Sequence, residues 1–283
     1  MSQSKNTIYN TVIQTVIDNE ERLPSLPAVT LKIRQAISNP DSTVDEIASL
    51  IRLDPSLSAL LLKYGASPLY KRPVPPNTIE AVLSMIGMPA LENLVMTHSI
   101  KSLFILKDPQ LKKLFQLSWE RMIYKAAISL FLAKKMKLRP AEQAMTSSLL
   151  TEIGTLVLLS AFSKDMLAPD TSTYIKLCKK YSKPLTGIVL NKWGISKNII
   201  NVGLRCGHWD LSYSKKLGMV DIINMAIYST VKHQSSNDDL PPIETIVSYK
   251  KLPQSISPLT DEKELAIIKE NLSEIDDIIS SLK

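Results

Sequence analysis

Signals that start an α-helix recur along this chain, and they constrain its fold more than any other feature. Thr43-Val44-Asp45-Glu46 has the spacing of a capping box, in which the side chains of the first and fourth residues each accept a backbone N–H of the other. Asp54-Pro55 combines a capping side chain with a proline at the first helical position, and Pro89, Pro109 and Pro140 each open a further helical stretch. Glycine is scarce, 8 of 283 residues, which also favours helices over strands joined by tight turns. The sequence therefore predicts an all-α protein built as a multi-helix bundle.

Two proline-rich stretches divide the chain. Residues 67–77 hold four prolines without helical periodicity, and residues 253–258 separate the body from a terminal segment. We expect an N-terminal lobe of short helices at residues 1–105, a larger helical lobe at 106–235 and a C-terminal extension at 236–283. The extension should end in one amphipathic helix that packs on the body, because its apolar residues recur at spacings of three and four. These residues are Leu265, Ile268, Leu272, Ile275, Ile279 and Leu282.

The formal net charge of +7 is unevenly distributed. Residues 261–283 hold seven acids against three lysines, a net charge of −4, so residues 1–260 carry +11. The basic residues form short scattered pairs, such as Lys134-Lys135 and Lys179-Lys180, which are typical of solvated helix faces and not of a stripe that reads DNA. We therefore expect no direct binding of nucleic acid.

Cysteine use and hydropathy indicate a cytoplasmic protein. Cys178 and Cys206 lack the spacing of a CxxC motif, and the N-terminus lacks the basic-then-apolar pattern of a secretory signal. The longest weakly charged run, residues 144–162, is interrupted by Glu152 and is shorter than the ~20 apolar residues that a membrane span needs. We interpret it as a core helix and expect no membrane partner.

The polar pair Thr151-Glu152 interrupts this otherwise apolar helix, in the stretch SSLLTEIGTLVLL at residues 147–159. A glutamate is seldom fully buried without a partner, so Glu152 could lie on one exposed edge of its helix. The alternative is that the pair belongs to a functional or formerly functional site inside the bundle.

Four motifs follow one another in the first part of the chain: LPSLPAVTLKI from Leu23, NPDSTVDEIASLIRLDPSLSALLL from Asn39, ASPLY from Ala66 and IEAVLSMIGMPAL from Ile79. In this order they resemble the N-terminal half of the HDOD domain, the HD-related output domain of bacterial signalling proteins. The resemblance continues through LSWERMIYKAA and a shortened TGIVLNKWGIS and covers residues 23–230, whereas Ala66 and Lys71 depart from the residues usual in the family.

The HDOD family is similar to the HD phosphohydrolases, whose motif LLHDIGKL carries a His-Asp pair on a buried helix. Here the stretch reads LLTEIGTL, so the resemblance places Thr151 at the histidine position and Glu152 at the aspartate position. The other positions at which those enzymes carry site residues correspond to Arg121, Lys183, Gly207, His208 and Asn224.

A hydrolytic metal centre needs several convergent histidine and carboxylate ligands and an open position for water. Only His208 fits such a position, and the chain contains no His-Asp dipeptide. We interpret His98 and His233, the other two histidines, as ordinary polar groups at helix surfaces or edges. The resemblance therefore implies a degenerate site with no catalytic residue, no metal and no cofactor.

Two classes of function compete. The first is a non-enzymatic module of bacterial signal transduction that binds a signalling protein or a small ligand such as a nucleotide. The second is a divergent, metal-dependent HD-type phosphohydrolase. The missing ligands favour the first class, because similarity of fold does not transfer chemistry.

Two structural expectations follow for the site and for a partner. Because a buried carboxylate needs a counter-charge, we predict that Arg121 contacts Glu152 in the former metal site and replaces the metal with a salt bridge. The proline-rich loop is the candidate partner surface, since aromatic and arginine groups on a stiff loop lose little entropy on binding. Its residues are Leu69, Tyr70, Lys71 and Arg72, and the alternative is that Leu69 and Tyr70 pack inward as a lid.

Overall fold

The chain is helical throughout the part that its computed structural model describes, which is residues 2–70, 74–164, 168–234 and 240–282. No strand occurs in those ranges, and one isolated bridge joins Leu259 to Leu265. The helices are α1 (Ser2–Asp18), α2 (Ala28–Ser38), α3 (Val44–Ile51), α4 (Pro55–Gly65), α5 (Ile79–Leu103), α6 (Pro109–Lys135), α7 (Glu142–Leu150), α8 (Ile153–Lys164), α9 (Thr171–Lys192), α10 (Lys197–Arg205), α11 (Met219–Gln234), α12 (Val247–Lys250), α13 (Ala266–Lys269) and α14 (Leu272–Leu282), with three short 3₁₀ turns at Glu20–Arg22, Pro68–Tyr70 and Ile243–Thr245. The predicted all-α, multi-helix fold is confirmed.

The helix starts follow the predicted capping chemistry. Thr43 and Glu46 form the reciprocal capping box of α3, with Thr43 accepting from the Glu46 N–H and the Thr43 N–H donating to Glu46. Asp54 caps α4 by accepting the N–H groups of Ser56 and Leu57. Within α5 the chain kinks at Gly87, whose φ of +76° is a left-handed conformation that glycine adopts without strain.

One hydrophobic core extends from α1 to α14. The central part of α6 lies deep in it, since residues 126–128 and 131–133 are completely buried. Helices α7, α8, α11 and α14 all pack on α6, and α9 packs on α8. The division into lobes at about residues 105 and 235 stays a prediction.

Two predicted helices are interrupted. The helix opened by Pro140 ends at Leu150 and resumes at Ile153, so the polar pair sits at a turn between α7 and α8. The predicted terminal amphipathic helix is present as α14 and packs on α6, but it begins later than predicted, because the chain turns at Glu270 and Asn271 between α13 and α14. The Asn271 side chain donates to the Ile267 carbonyl, and the backbone carbonyl of Asn271 accepts the Ile275 N–H. The break turns Leu272 outward, where it is 42% exposed.

Among the described residues, two helical stretches are long and apolar enough to cross a membrane, judged by length and composition alone: Ile79–Leu103 and Glu142–Ser163. Half of the apolar window in the first and 89% of that in the second are buried inside the protein. Core helices of soluble proteins have the same properties, so the finding is weak evidence for a membrane span. The burial of the second stretch agrees with its interpretation as a core element.

Candidate functional site

The polar pair Thr151-Glu152 lies where two helices meet. The Thr151 N–H still bonds to the Ser147 carbonyl, and the Glu152 carbonyl accepts the Thr155 N–H, so the turn keeps its backbone bonds. Thr151 is buried and 19% of the Glu152 side chain is exposed. The turn therefore directs a carboxylate and a hydroxyl into the bundle without leaving these backbone groups unpaired.

Gly154, two residues after Glu152, allows helix α9 to approach this turn. A Cβ atom at Gly154 would lie 2.0 Å from the Ser182 carbonyl oxygen, which is an impossible contact with backbone. The close approach lets the Gly154 N–H donate to Thr186 Oγ1 at 3.0 Å. The glycine that follows the polar pair thus permits α9 to pack closely against the site.

Arg121 on α6 forms an ion pair with Glu152. The distance from Arg121 Nη2 to Glu152 Oε2 is 2.5 Å. The predicted contact is therefore present, and the alternative that Glu152 is a solvated edge residue is wrong.

Lys125, one helical turn after Arg121, is a residue of the site that the sequence analysis missed. Its side chain is 1% exposed, and its Nζ donates to Glu152 Oε1 at 2.8 Å and to Thr151 Oγ1 at 2.6 Å. Thr151 Oγ1 in turn donates to the Ser148 carbonyl. Residues four apart lie on one face of a helix, so the spacing of Arg121 and Lys125 was the signal available in the sequence. We call Arg121, Lys125, Thr151 and Glu152 the buried ion group.

The two cations dominate the electrostatics of the buried ion group. Burial raises the pKa of Glu152, but Arg121 and Lys125 outweigh it and lower that pKa from 4.5 to about 2. The Glu152 charge raises the pKa of Arg121 in return. Burial lowers the pKa of Lys125, and this effect is larger than the opposite effect of the Glu152 charge, which raises it. Glu152 is therefore ionised throughout the physiological range.

The remaining predicted positions form a second cluster, Lys183, Gly207, His208 and Asn224, which we call the lysine–histidine group. Lys183 Nζ lies 3.0 Å from His208 Nε2. The Gly207 N–H donates to Asn224 Oδ1 at 2.8 Å, and Gly207 has a φ of +84°. Asn224 is fully buried, and its Nδ2 donates to Ser248 Oγ and to the His208 carbonyl. Asn224 thus holds the backbone turn that presents His208 to Lys183.

Both groups border one open cavity of about 970 Å³ between α6, α9, α10, α11 and α14. Arg121, Thr151 and Glu152 form part of its wall, and so do Lys183 and Gly207. The structure therefore brings five of the seven predicted site residues to one cavity. His208 and Asn224 adjoin it through their contacts with Lys183 and Gly207.

The other histidines and the cysteines have separate surroundings. The Nε2 atom of His98 lies 3.0 Å from Asp54 Oδ2, and neither residue lines the cavity. His233 lines the cavity wall, where its ring stacks on Tyr124 with ring centroids 4.9 Å apart. Both cysteines are free thiols. Burial raises the pKa of Cys178 to about 11 and that of Cys206 to about 12, so neither is a thiolate at neutral pH.

The candidate partner surface is described only in part. Tyr70 is half-buried, and its ring packs edge-on against Tyr64 at 5.5 Å between centroids. This ring faces inward, as the lid alternative requires. Lys71, Arg72 and the side chain of Leu69 lie outside the described residues, so the partner surface stays a prediction.

The buried ion group does not fit a hydrolytic metal centre. Both oxygens of Glu152 and the hydroxyl of Thr151 accept hydrogen bonds from the cationic side chains of Arg121 and Lys125. A divalent cation at this carboxylate would face two positive charges in place of histidine and carboxylate ligands. In the described parts of the chain, no three His, Cys, Asp or Glu residues cluster in a metal-binding arrangement.

Known structures share this fold over nearly the whole chain. The "Putative metal-dependent phosphohydrolase" of Shewanella amazonensis SB2B is 20% identical with a TM-score of 0.77, and the match covers 99% of this chain and 100% of that one. An HDOD domain protein of unknown function from Geobacter sulfurreducens is 19% identical with a TM-score of 0.67, covering 100% and 98%. A "Putative signal transduction protein" of Marinobacter aquaeolei VT8 is 14% identical with a TM-score of 0.60, covering 98% and 65%.

The sequence itself matches a known domain family. A search of curated proteins found no match. The family model of the HDOD domain matches residues 23–205, which include the buried ion group and Lys183. The chain therefore belongs to the HDOD family.

Proposed function

We propose that this HDOD protein is a signalling module that binds a protein or a small ligand and does not hydrolyse phosphate esters. The observation that carries the proposal is the ion pairing of Glu152 with Arg121 and Lys125. A hydrolytic metal ion would have to displace two cations that already satisfy the carboxylate and the adjacent hydroxyl. The described site therefore favours binding over metal-assisted hydrolysis.

The signalling role is supported by membership of the HDOD family and by the name of the similar protein from Marinobacter aquaeolei. At 14% identity that protein shares the fold, and its name alone does not transfer a role. The cavity supports the binding of a small ligand. It places ionisable side chains beside apolar ones in a space large enough for a small molecule.

The test is to measure the metal content of the purified full chain and its hydrolysis of phosphodiesters and phosphomonoesters with added Mn²⁺ or Mg²⁺. We expect less than stoichiometric transition metal and no turnover at enzyme-like rates. One or two tightly bound metal ions per chain, together with a turnover that His208→Ala abolishes, would establish the phosphohydrolase alternative. The variant Lys176→Ala, on the exposed face of α9, is the control for unspecific effects on turnover.

A further inference from the structure

One cation in the cavity wall has no carboxylate partner among the described residues. Glu152, another residue of the wall, is paired with both Arg121 and Lys125. Lys183 lines the same cavity, and within the described ranges it forms no ion pair.

The hydrogen-bond partner of Lys183 is an imidazole and not a carboxylate. The Lys183 Nζ lies 3.0 Å from His208 Nε2. Burial lowers the pKa of Lys183, because the lysine has lost water and gained no carboxylate. An anion in the cavity would supply the missing counter-charge.

Arg121 also has unused donor capacity. Its Nη2 bonds to Glu152, and its Nε is buried with no acceptor within the described structure. The side chain as a whole lines the cavity and is 38% exposed. A guanidinium presents five donors, so the exposed part of this fork, and not the buried Nε, is available to a ligand beside Glu152.

Apolar side chains form much of the cavity lining. Leu117 on α6 and Ile175 on α9 are 47% and 50% exposed at its wall, and Leu114, Ile227 and Ile279 continue the apolar lining. Two further carboxylates lie in the lining, Glu120 and Asp276, and both residues are exposed. The volume of about 970 Å³ is much larger than a single inorganic anion requires.

We propose that this cavity binds an amphipathic organic anion, with its charged head at Lys183 and Arg121 and its apolar body between Leu117 and Ile175. The head is a carboxylate or a phosphate monoester, since both match a lysine and the free donors of an arginine. The inference rests on the proposed function, because a ligand that the protein hydrolysed would be a substrate.

Isothermal titration of the full chain with octyl phosphate, octanoate, octanol and inorganic phosphate tests the inference. We expect octyl phosphate, octanoate or both to bind at least about tenfold more tightly than octanol or inorganic phosphate, because head and body each contribute. Comparison of the two octyl anions identifies the head group. Comparable binding of octanol and the octyl anions would overturn the role of the cations.

Lys183→Met locates the head group, and Lys176→Met is the matched control on the exposed face of the same helix. We expect Lys183→Met to weaken anion binding about tenfold or more and Lys176→Met to leave it unchanged. Equal affinities of the two variants for the octyl anions would refute the placement of the charged head at Lys183. Inorganic phosphate released from octyl phosphate would instead refute the proposed function, whereas no binding of any anion would refute only the ligand inference.

Discussion

The two polar groups at the cavity differ in the counter-charge that each contains. In the buried ion group, Glu152 is paired with both Arg121 and Lys125. In the lysine–histidine group, Lys183 is half-buried and bonds to an imidazole, with no carboxylate partner within the described residues. One group therefore has internal counter-charges and the other lacks them.

This difference separates a structural role from a binding role. Ions that satisfy one another inside a protein hold elements together, and the loss of one partner leaves an uncompensated charge. A cation without an internal counter-ion at a cavity wall contributes little to folding and is available to a ligand. Substitutions of Glu152 and of Lys183 should therefore have opposite consequences for stability and for binding.

The largest effect should come from Glu152→Ala. This change leaves the fully buried Lys125 without its carboxylate partner and beside the charge of Arg121, so the free energy of unfolding should fall by about 3–5 kcal/mol. Denaturant unfolding monitored by circular dichroism measures the loss. Glu120→Ala, at an exposed residue of the same cavity wall, is the control and should change the value by less than about 0.5 kcal/mol. Equal losses in the two variants would contradict a structural role for the ion group.

The same carboxylate should make stability depend on pH in acid. The pKa of Glu152 is lowered on folding from 4.5 to about 2, so its contribution is complete above pH 4.5 and is lost as the pH falls towards 2. The shift corresponds to about 3 kcal/mol. The difference in unfolding free energy between the wild type and Glu152→Gln should shrink by this amount between neutral pH and acid. A difference that stays constant with pH would mean that Glu152 ionises equally in the folded and unfolded chain.

Coupling within the buried ion group should be somewhat smaller. Arg121→Met alone removes one of two counter-charges, and adding Glu152→Gln should recover part of the loss, with a coupling energy of about 0.5–3 kcal/mol. Thermal and denaturant unfolding of the two single variants and the double variant provide the cycle. A parallel cycle with Lys125→Met shows which cation contributes more. Strict additivity in both cycles would rule out an energetic connection between these ions.

The sequence predicted local features and the helical class well. The capping box at Thr43 and Glu46 and the cap at Asp54 depend on neighbours in the chain, and both are present. The resemblance to HD proteins led to the contact between Arg121 and Glu152 across 31 residues of chain.

Features that depend on three-dimensional packing were harder to predict. Lys125 is fully buried, and sequence reasoning expects a lysine on a helix to reach solvent unless its partner is already known. At the break before α14, the Ile267 carbonyl accepts a bond from the Asn271 side chain, which apolar periodicity does not reveal. The contact between Lys183 and His208 requires α9 to lie beside the turn after α10, and that position depends on the packing at Gly154.

The smallest effect on stability should come from Lys183→Met, and it should have the opposite sign to that of Glu152→Ala. Burial without a carboxylate lowers the pKa of Lys183, so below its ordinary value of 10.5 the charged form is less favourable in the folded protein than in the unfolded chain. Replacing it with methionine removes that cost along with the bond to His208, so the unfolding free energy at neutral pH should stay within about 0.5 kcal/mol of the wild type or rise slightly. Denaturant unfolding beside Lys176→Met measures this. A loss of several kcal/mol specific to Lys183→Met would show that the lysine–histidine group is structural as well, and the contrast between the two groups would then disappear.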